Sequence, residues 1–137
     1  MKSIKVIILK IPAPLIMVIL WLLSSQSKLP EMKGILGFDK LQHFAAYAAL
    51  AAAAGLWFSL ENWFNRPKLN FLIIVVVASV YGAIDEFHQY FVPGRACDVW
   101  DWIADTLGGL AGAMTVLIIT KVWKSRIQRQ VTVSAHP

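Results

Sequence analysis

Four apolar runs divide the chain. The first, Ile11 to Ser27, carries no charge and lies between Lys10 and Lys28. The second, Leu41 to Leu60, is also uncharged and lies between Lys40 and Glu61. The third runs from about Leu69 to Val92, with Asp85 and Glu86 near its end. The fourth runs from about Val99 to Thr120, with Asp101 and Asp105 near its start. A membrane-crossing helix needs about 20 mostly apolar residues. The pattern therefore predicts an all-α fold: a four-transmembrane-helix bundle with spans at 11–27, 41–60, 69–92 and 99–120, forming one integral membrane domain over 1–137. The linkers carry helix-breaking residues: Pro30, Gly34 and Gly37; then Asn65, Arg66 and Pro67; then Pro93 and Gly94. The first run exceeds a signal-peptide core of about 7–15 residues and no A-x-A-like site follows it, so it is read as a span.

Composition supports this reading. The 137 residues are 58% hydrophobic and 15% charged, against roughly 45–50% and about 25% in soluble domains. A soluble globule and a disordered chain are both excluded. The charges are also sorted by side. If both termini are cytoplasmic, that side holds Lys2, Lys5, Lys10, Arg66, Lys68, Lys121, Lys124, Arg126 and Arg129, which is 9 of 13 bases, with Glu61 as its one acid. The outer side then holds Lys28, Lys33, Lys40 and Arg95 with 7 of 8 acids. Basic residues concentrate on the cytoplasmic side of membrane proteins, so the expectation is a multi-pass protein of the cytoplasmic (inner) membrane. The net charge of +5 then belongs to membrane topology. The basic tail, 121–137, is expected to rest on anionic lipid and not on nucleic acid.

Helical phase gathers the acids further. At about 100° per residue, Asp85, Glu86 and Gln89 share one arc with Gly82 and Ala78. Asp98, Asp101 and Asp105 are spaced three and four apart, and Gly108 and Gly112 continue their stripe. Asp39, His43 and Tyr47 are four apart, beside Lys40 and above an alanine-rich stretch. In each helix, polar groups sit above small residues, which lets helices approach closely. At about 1.5 Å per residue, Asp85 lies roughly 12 Å below Pro93 and Asp105 roughly 10 Å below Asp98. A carboxylate at the bilayer centre costs on the order of 2.5–3.5 kcal/mol, so each must be paired, protonated, metal-bound or hydrated. The expected outward-facing pocket comprises His43, Asp85, Glu86, Gln89, Arg95, Asp101 and Asp105, supported by Asp39, Lys40, Tyr47, Asp98, Gly82, Gly108 and Gly112. Asp39 and Asp98 also suit the N-caps of the second and fourth helices.

Three chemistries fit these residues. Asp85, Glu86, His43 and Asp101 can ligate a divalent metal for hydrolysis, although no HExxH-like motif is present. Crowded carboxylates with His43 can do acid–base work on a lipid headgroup, with Arg95 clamping a phosphate. Alternatively the pocket binds without reacting, or the acids only lock the helices of a scaffold subunit. No Walker, GxSxG or Rossmann motif is present, and substrate and catalysis stay open.

The motifs resemble the VanZ-like family of small bacterial membrane proteins. Asp39-Lys40-Leu41-Gln42-His43-Phe44 with Tyr47 is similar to its D-K-x-x-H-F element. Asp85-Glu86-Phe87-His88-Gln89 and Val92-Pro93-Gly94-Arg95 are similar to its D-E-x-x-Q and P-G-R elements. Asp98, Asp101, Asp105, Gly108 and Gly112 resemble the pattern that follows, and Ser24-Ser25-Gln26-Ser27 the end of its first helix. The likeness extends to about Thr120. Asp105 stands where the family often has asparagine. The resemblance implies a four-helix fold and a cell-envelope role of the kind that gives low-level resistance to the glycopeptide teicoplanin; the expected partner of the pocket is a lipid or cell-wall precursor headgroup.

The lone cysteine, Cys97, falls in the expected outer loop. It should react with a membrane-impermeant thiol reagent on intact cells. Labelling only after lysis would reverse the orientation.

Overall fold

The computed structural model describes residues 7–27 and 37–134. Helix α1 spans Pro12–Ser24, α2 Phe38–Ala54, α3 Leu60–Asn65, α4 Pro67–Gln89 and α5 Val99–Ser134, with a 3-10 turn at Gly55–Trp57. There is no strand among the described residues. Lys2, Lys5, Lys28, Glu31, Lys33 and residues 135–137, which figure in the charge sorting and the tail, lie outside the described residues.

Among the described residues, three segments are long and apolar enough to cross a membrane: Ile7–Ser24, Pro67–Gln89 and Val99–Thr132. The expected second span differs. α2 stops at Ala54 after 17 residues and does not reach Leu60. Two local features end it. The Trp63 indole N–H donates to the Gly55 carbonyl at 3.0 Å. Ser59, extended, then accepts from the Asn62 N–H and caps a new helix. The last helix differs in the other direction, since the basic segment after Thr120 continues α5 as far as Ser134.

The surface is the inverse of a soluble protein's. Along α4 the buried stripe is Asn70, Ile74, Ala78, Gly82, Asp85, Glu86 and Gln89. Its opposite face leaves large apolar side chains open, with Val80 54% and Phe87 65% exposed. Apolar exposure on this scale marks a surface that meets lipid or another apolar partner.

The core is held by close approach of backbones. α2 packs most extensively on α5. A Cβ at Gly108 would overlap the Phe44 carbonyl oxygen, and one at Gly112 would overlap the Ala48 carbonyl oxygen. At Gly109 a Cβ would lie 2.7 Å from the Ala78 Cβ of α4. These small residues let three helices meet with almost no side chain between them, as in membrane bundles generally. Because Phe44 faces Gly108 and Ala48 faces Gly112, α2 and α5 run parallel. Their N-termini and the C-terminus of α4 therefore share one end of the bundle.

α1 is attached to α4 by three contacts. The Tyr81 hydroxyl donates to the Met17 carbonyl at 2.5 Å. The Trp21 and His88 rings stack at 4.0 Å, and Ser25 Oγ lies 3.0 Å from His88 Nε2. α4 and α5 are joined through a turn in which the Arg95 N–H donates to the Val92 carbonyl at 3.1 Å. Pro93 and Gly94 occupy its centre, and Gly94 has φ +80°, the pairing a type II turn requires.

Candidate functional site

At the shared end, side chains from three helices converge. His43 of α2 lies with Nδ1 2.9 Å from Asp105 Oδ1 of α5 and 3.9 Å from Glu86 Oε1 of α4. Its other ring nitrogen, Nε2, is 3.9 Å from Asp101 Oδ2. Burial is deep: Asp105 is 0% exposed, Glu86 2%, Asp85 3% and Gln89 3%. Local sequence explains the placement. The spacing of 101 and 105 repeats on one helical face, and Gly82 lets α4 accept the Asp105 carboxylate, since a Cβ there would sit 2.8 Å from Asp105 Oδ2.

A second set of bonds fixes Glu86. The Gln89 amide donates to Glu86 Oε1 at 3.0 Å and to Asp85 Oδ2 at 3.4 Å. The Asp98 backbone N–H donates to Glu86 Oε2 at 3.0 Å. The start of α5 is thereby tied to the end of α4. Asp98 also caps α5, its Oδ1 accepting from the Trp100 N–H at 2.8 Å. Asp39 does not cap α2. The cap position is Gly37, at φ 77°, and Asp39 lies in the first turn beside Lys40.

Lys40 sits above the His43 cluster. Its ammonium is 2.6 Å from Asp98 Oδ2, 2.7 Å from Asp101 Oδ1 and 2.9 Å from Asp39 Oδ2. The hydrogen bond from Lys40 holds the Asp39 and Asp98 carboxyls below the usual carboxylate range. For Lys40, desolvation opposes the charged form, but the bonds to Asp101, Asp98 and Asp39 outweigh it and keep the ammonium above its usual range. Both acids also lie near helix N-termini, where the dipole favours negative charge.

The structure thus gathers His43, Glu86, Asp101 and Asp105 with Lys40, Asp39 and Asp98, and seats Asp85 and Gln89 directly beside Glu86. Tyr47 is buried one turn below His43, 1% exposed. Gly82, Gly108 and Gly112 sit where the helices touch. Arg95 is not brought to the acids: among the described residues it forms no ion pair, and its buried Nε has no hydrogen-bond partner. For a metal, one ligand atom from each of His43, Glu86 and Asp105 lies within 4.8 Å of the others. Of the residues expected to ligate, His43 and Glu86 are in this group, whereas Asp85 and Asp101 give way to Asp105. Asp101 is instead drawn to Lys40.

Two features escape a motif reading. His88 falls off the acidic arc and anchors α1 through Trp21 and Ser25. The Ser25 hydroxyl donates to the Trp21 carbonyl at 2.6 Å, so its oxygen accepts from His88 and the pair is not an activated nucleophile. The other is Asn70, buried at the far end of α4 with no partner for its Nδ2 among the described residues. No sequence signal distinguished it from the apolar run around it.

A family model described as VanZ/LLP1 matches residues 3–120. No curated protein and no solved structure shows significant similarity to the chain.

Replacing Lys40 by Met removes the one cation shared by Asp39, Asp98 and Asp101. Stability at pH 7 should fall by about 1 kcal/mol, a modest loss because the pairs are partly exposed. Asp39 and Asp98 have lowered pKa values, so their contribution is present above the ordinary carboxylate value and lost as pH falls through the folded-state value. The difference between wild type and Lys40→Met, measured by thermal unfolding in detergent, should therefore begin to narrow below about pH 4. An unchanged difference down to pH 3 would contradict the assignment.

Proposed function

The chain belongs to the VanZ/LLP1 family, and from that premise we propose that it is a four-span protein of the bacterial cytoplasmic membrane, with both termini inside, whose outward end engages a cell-envelope component. Its role is of the teicoplanin-resistance type. The partner is a lipid or cell-wall precursor headgroup presented at the outer surface. The observation that carries this reading is the convergence of half-buried His43 with buried Glu86 and Asp105 within 4.8 Å, at one end of a largely apolar bundle. Structural acids have little reason to meet at one point. A binding site requires it.

Three supports stand beside that observation. The charge asymmetry of the sequence puts this end outside. In a bilayer, ionisable groups inside a bundle are a functional-site signal by default. Arg95, in the loop that leads to α5, carries a guanidinium of the kind that suits a phosphate or carboxylate, although it stands apart from the acids. α2 takes part as a fourth span: its 17 residues reach about 26 Å at 1.5 Å each, and it is lined by partners along its length. Headgroup hydrolysis or transfer by the same residues is the enzymatic form of this reading.

The test is teicoplanin susceptibility of cells expressing the wild type, Glu86→Gln or Asp105→Asn, with membrane protein levels measured in parallel. The wild type should reduce susceptibility, and the variants should lose the effect while present at normal level. Undiminished protection by the stable variants would refute the site. Loss of folded protein in both would instead favour a scaffold in which the acids only hold helices together.

A further inference from the structure

We propose that His43, Glu86 and Asp105 form a binding site for one divalent transition-metal cation. This rests on the reading of the shared helix end as a ligand site, and it names the ligand.

The donor set is the first argument. One imidazole and two carboxylates, from α2, α4 and α5, suit Mn²⁺, Fe²⁺, Co²⁺ or Zn²⁺ better than the harder Mg²⁺ or Ca²⁺. The separations are 2.9 Å for His43 Nδ1 to Asp105 Oδ1 and 3.9 Å for His43 Nδ1 to Glu86 Oε1. Ligand atoms about 2.1 Å from one ion lie roughly 3–4 Å apart. Small side-chain movements bring all three onto an ion, which then replaces the direct His43–Asp105 hydrogen bond.

Buried polar atoms without partners point the same way, two of them on residues outside the triad. Asp105 is completely buried, yet its Oδ2 has no hydrogen-bond partner among the described residues. The same holds for the Tyr47 hydroxyl, one turn below His43, and for Asp85 Oδ1. Buried polar atoms without partners are costly and ask for an explanation, such as an ion. Charge gives the same answer. Asp85, Glu86, Asp101 and Asp105 are all buried, and Lys40, the one ammonium paired with acids here among the described residues, is already shared with Asp39 and Asp98. Even a protonated His43 leaves an excess of acid, which a divalent cation balances.

The surroundings complete the site. His43 Nε2 has Asp101 as its nearest carboxylate, at 3.9 Å, beyond hydrogen-bond distance. Gln89 and the Asp98 N–H hold Glu86 by its two oxygens, which fixes the carboxylate before the ion arrives.

The experiment uses the purified, chelator-stripped full chain in detergent, titrated with Mn²⁺ and followed by electron paramagnetic resonance. One Mn²⁺ should bind per chain, and its spin-echo modulation should show a coupled imidazole nitrogen. His43→Gln should remove the nitrogen signal and weaken binding at least tenfold. Asp101→Asn should keep the stoichiometry, because Asp101 is paired with Lys40 and lies outside the ligand set. Absence of stoichiometric binding by folded wild type overturns the proposal, as does a nitrogen signal that survives in His43→Gln. If that variant fails to fold, diethyl pyrocarbonate labelling of the wild type decides: saturating Mn²⁺ should protect His43, and unprotected modification overturns the site. The two readings separate cleanly. A metal-free protein whose resistance still depends on Glu86 removes the cation and leaves the envelope role. Stoichiometric Mn²⁺ with full resistance in Glu86→Gln does the reverse.

Discussion

The contact between α2 and α5 sets everything else in this structure. At Gly108 and Gly112 the α5 backbone rests on the carbonyls of Phe44 and Ala48 with no room for a methyl group. That contact fixes a parallel register. His43 precedes Phe44, and Asp105 lies one turn before Gly108, so the imidazole and the carboxylate are brought to 2.9 Å. One turn earlier, the same register sets Lys40 against Asp101 and Asp98. A shift by one residue would turn these groups onto different faces. The glycines are therefore part of the site although they carry no chemistry of their own.

Parallel helices also explain why acids are tolerated here. Two N-termini at one end offer partial positive charge and unpaired N–H groups. Asp98 uses one of these as a cap and lends its own N–H to Glu86. The cost of burying Glu86 is thus reduced by the start of one helix and the end of another. What is left uncompensated, chiefly Asp105 Oδ2 and Asp85 Oδ1, lies deeper, where no backbone donors are free. Structural need accounts for the upper layer of charges around Lys40. It does not account for the lower layer around His43, where buried carboxylate oxygens lack partners among the described residues.

Much of this was legible in the sequence, for a physical reason: period and spacing survive without coordinates. The stripe Ala78, Gly82, Asp85, Glu86 and Gln89 follows from 100° per residue, and all five are buried. The acids above Gly108 and Gly112 follow in the same way. Pairing within the site was not legible. Asp101 and Asp105 are equivalent in phase, and only the height of Lys40 on α2 decides that the first is ion-paired and the second meets His43. The end of α2 is not legible because an uncharged run hides a break. Ser59 reads as one more small residue until the Asn62 N–H is found donating to it. Asp39 suits a cap by residue type, but Gly37 in a left-handed conformation takes that position. His88 lay off the acidic face and proved to hold α1 through Trp21.

Helix register couples His43 to Asp105 across α2 and α5. A double-mutant cycle measures that coupling, with His43→Gln, Asp105→Asn and the pair compared by denaturant unfolding in detergent. The expected coupling energy is about 0.5–3 kcal/mol, the range for residues in direct contact. Additive effects of the two substitutions would show that the two side chains do not interact.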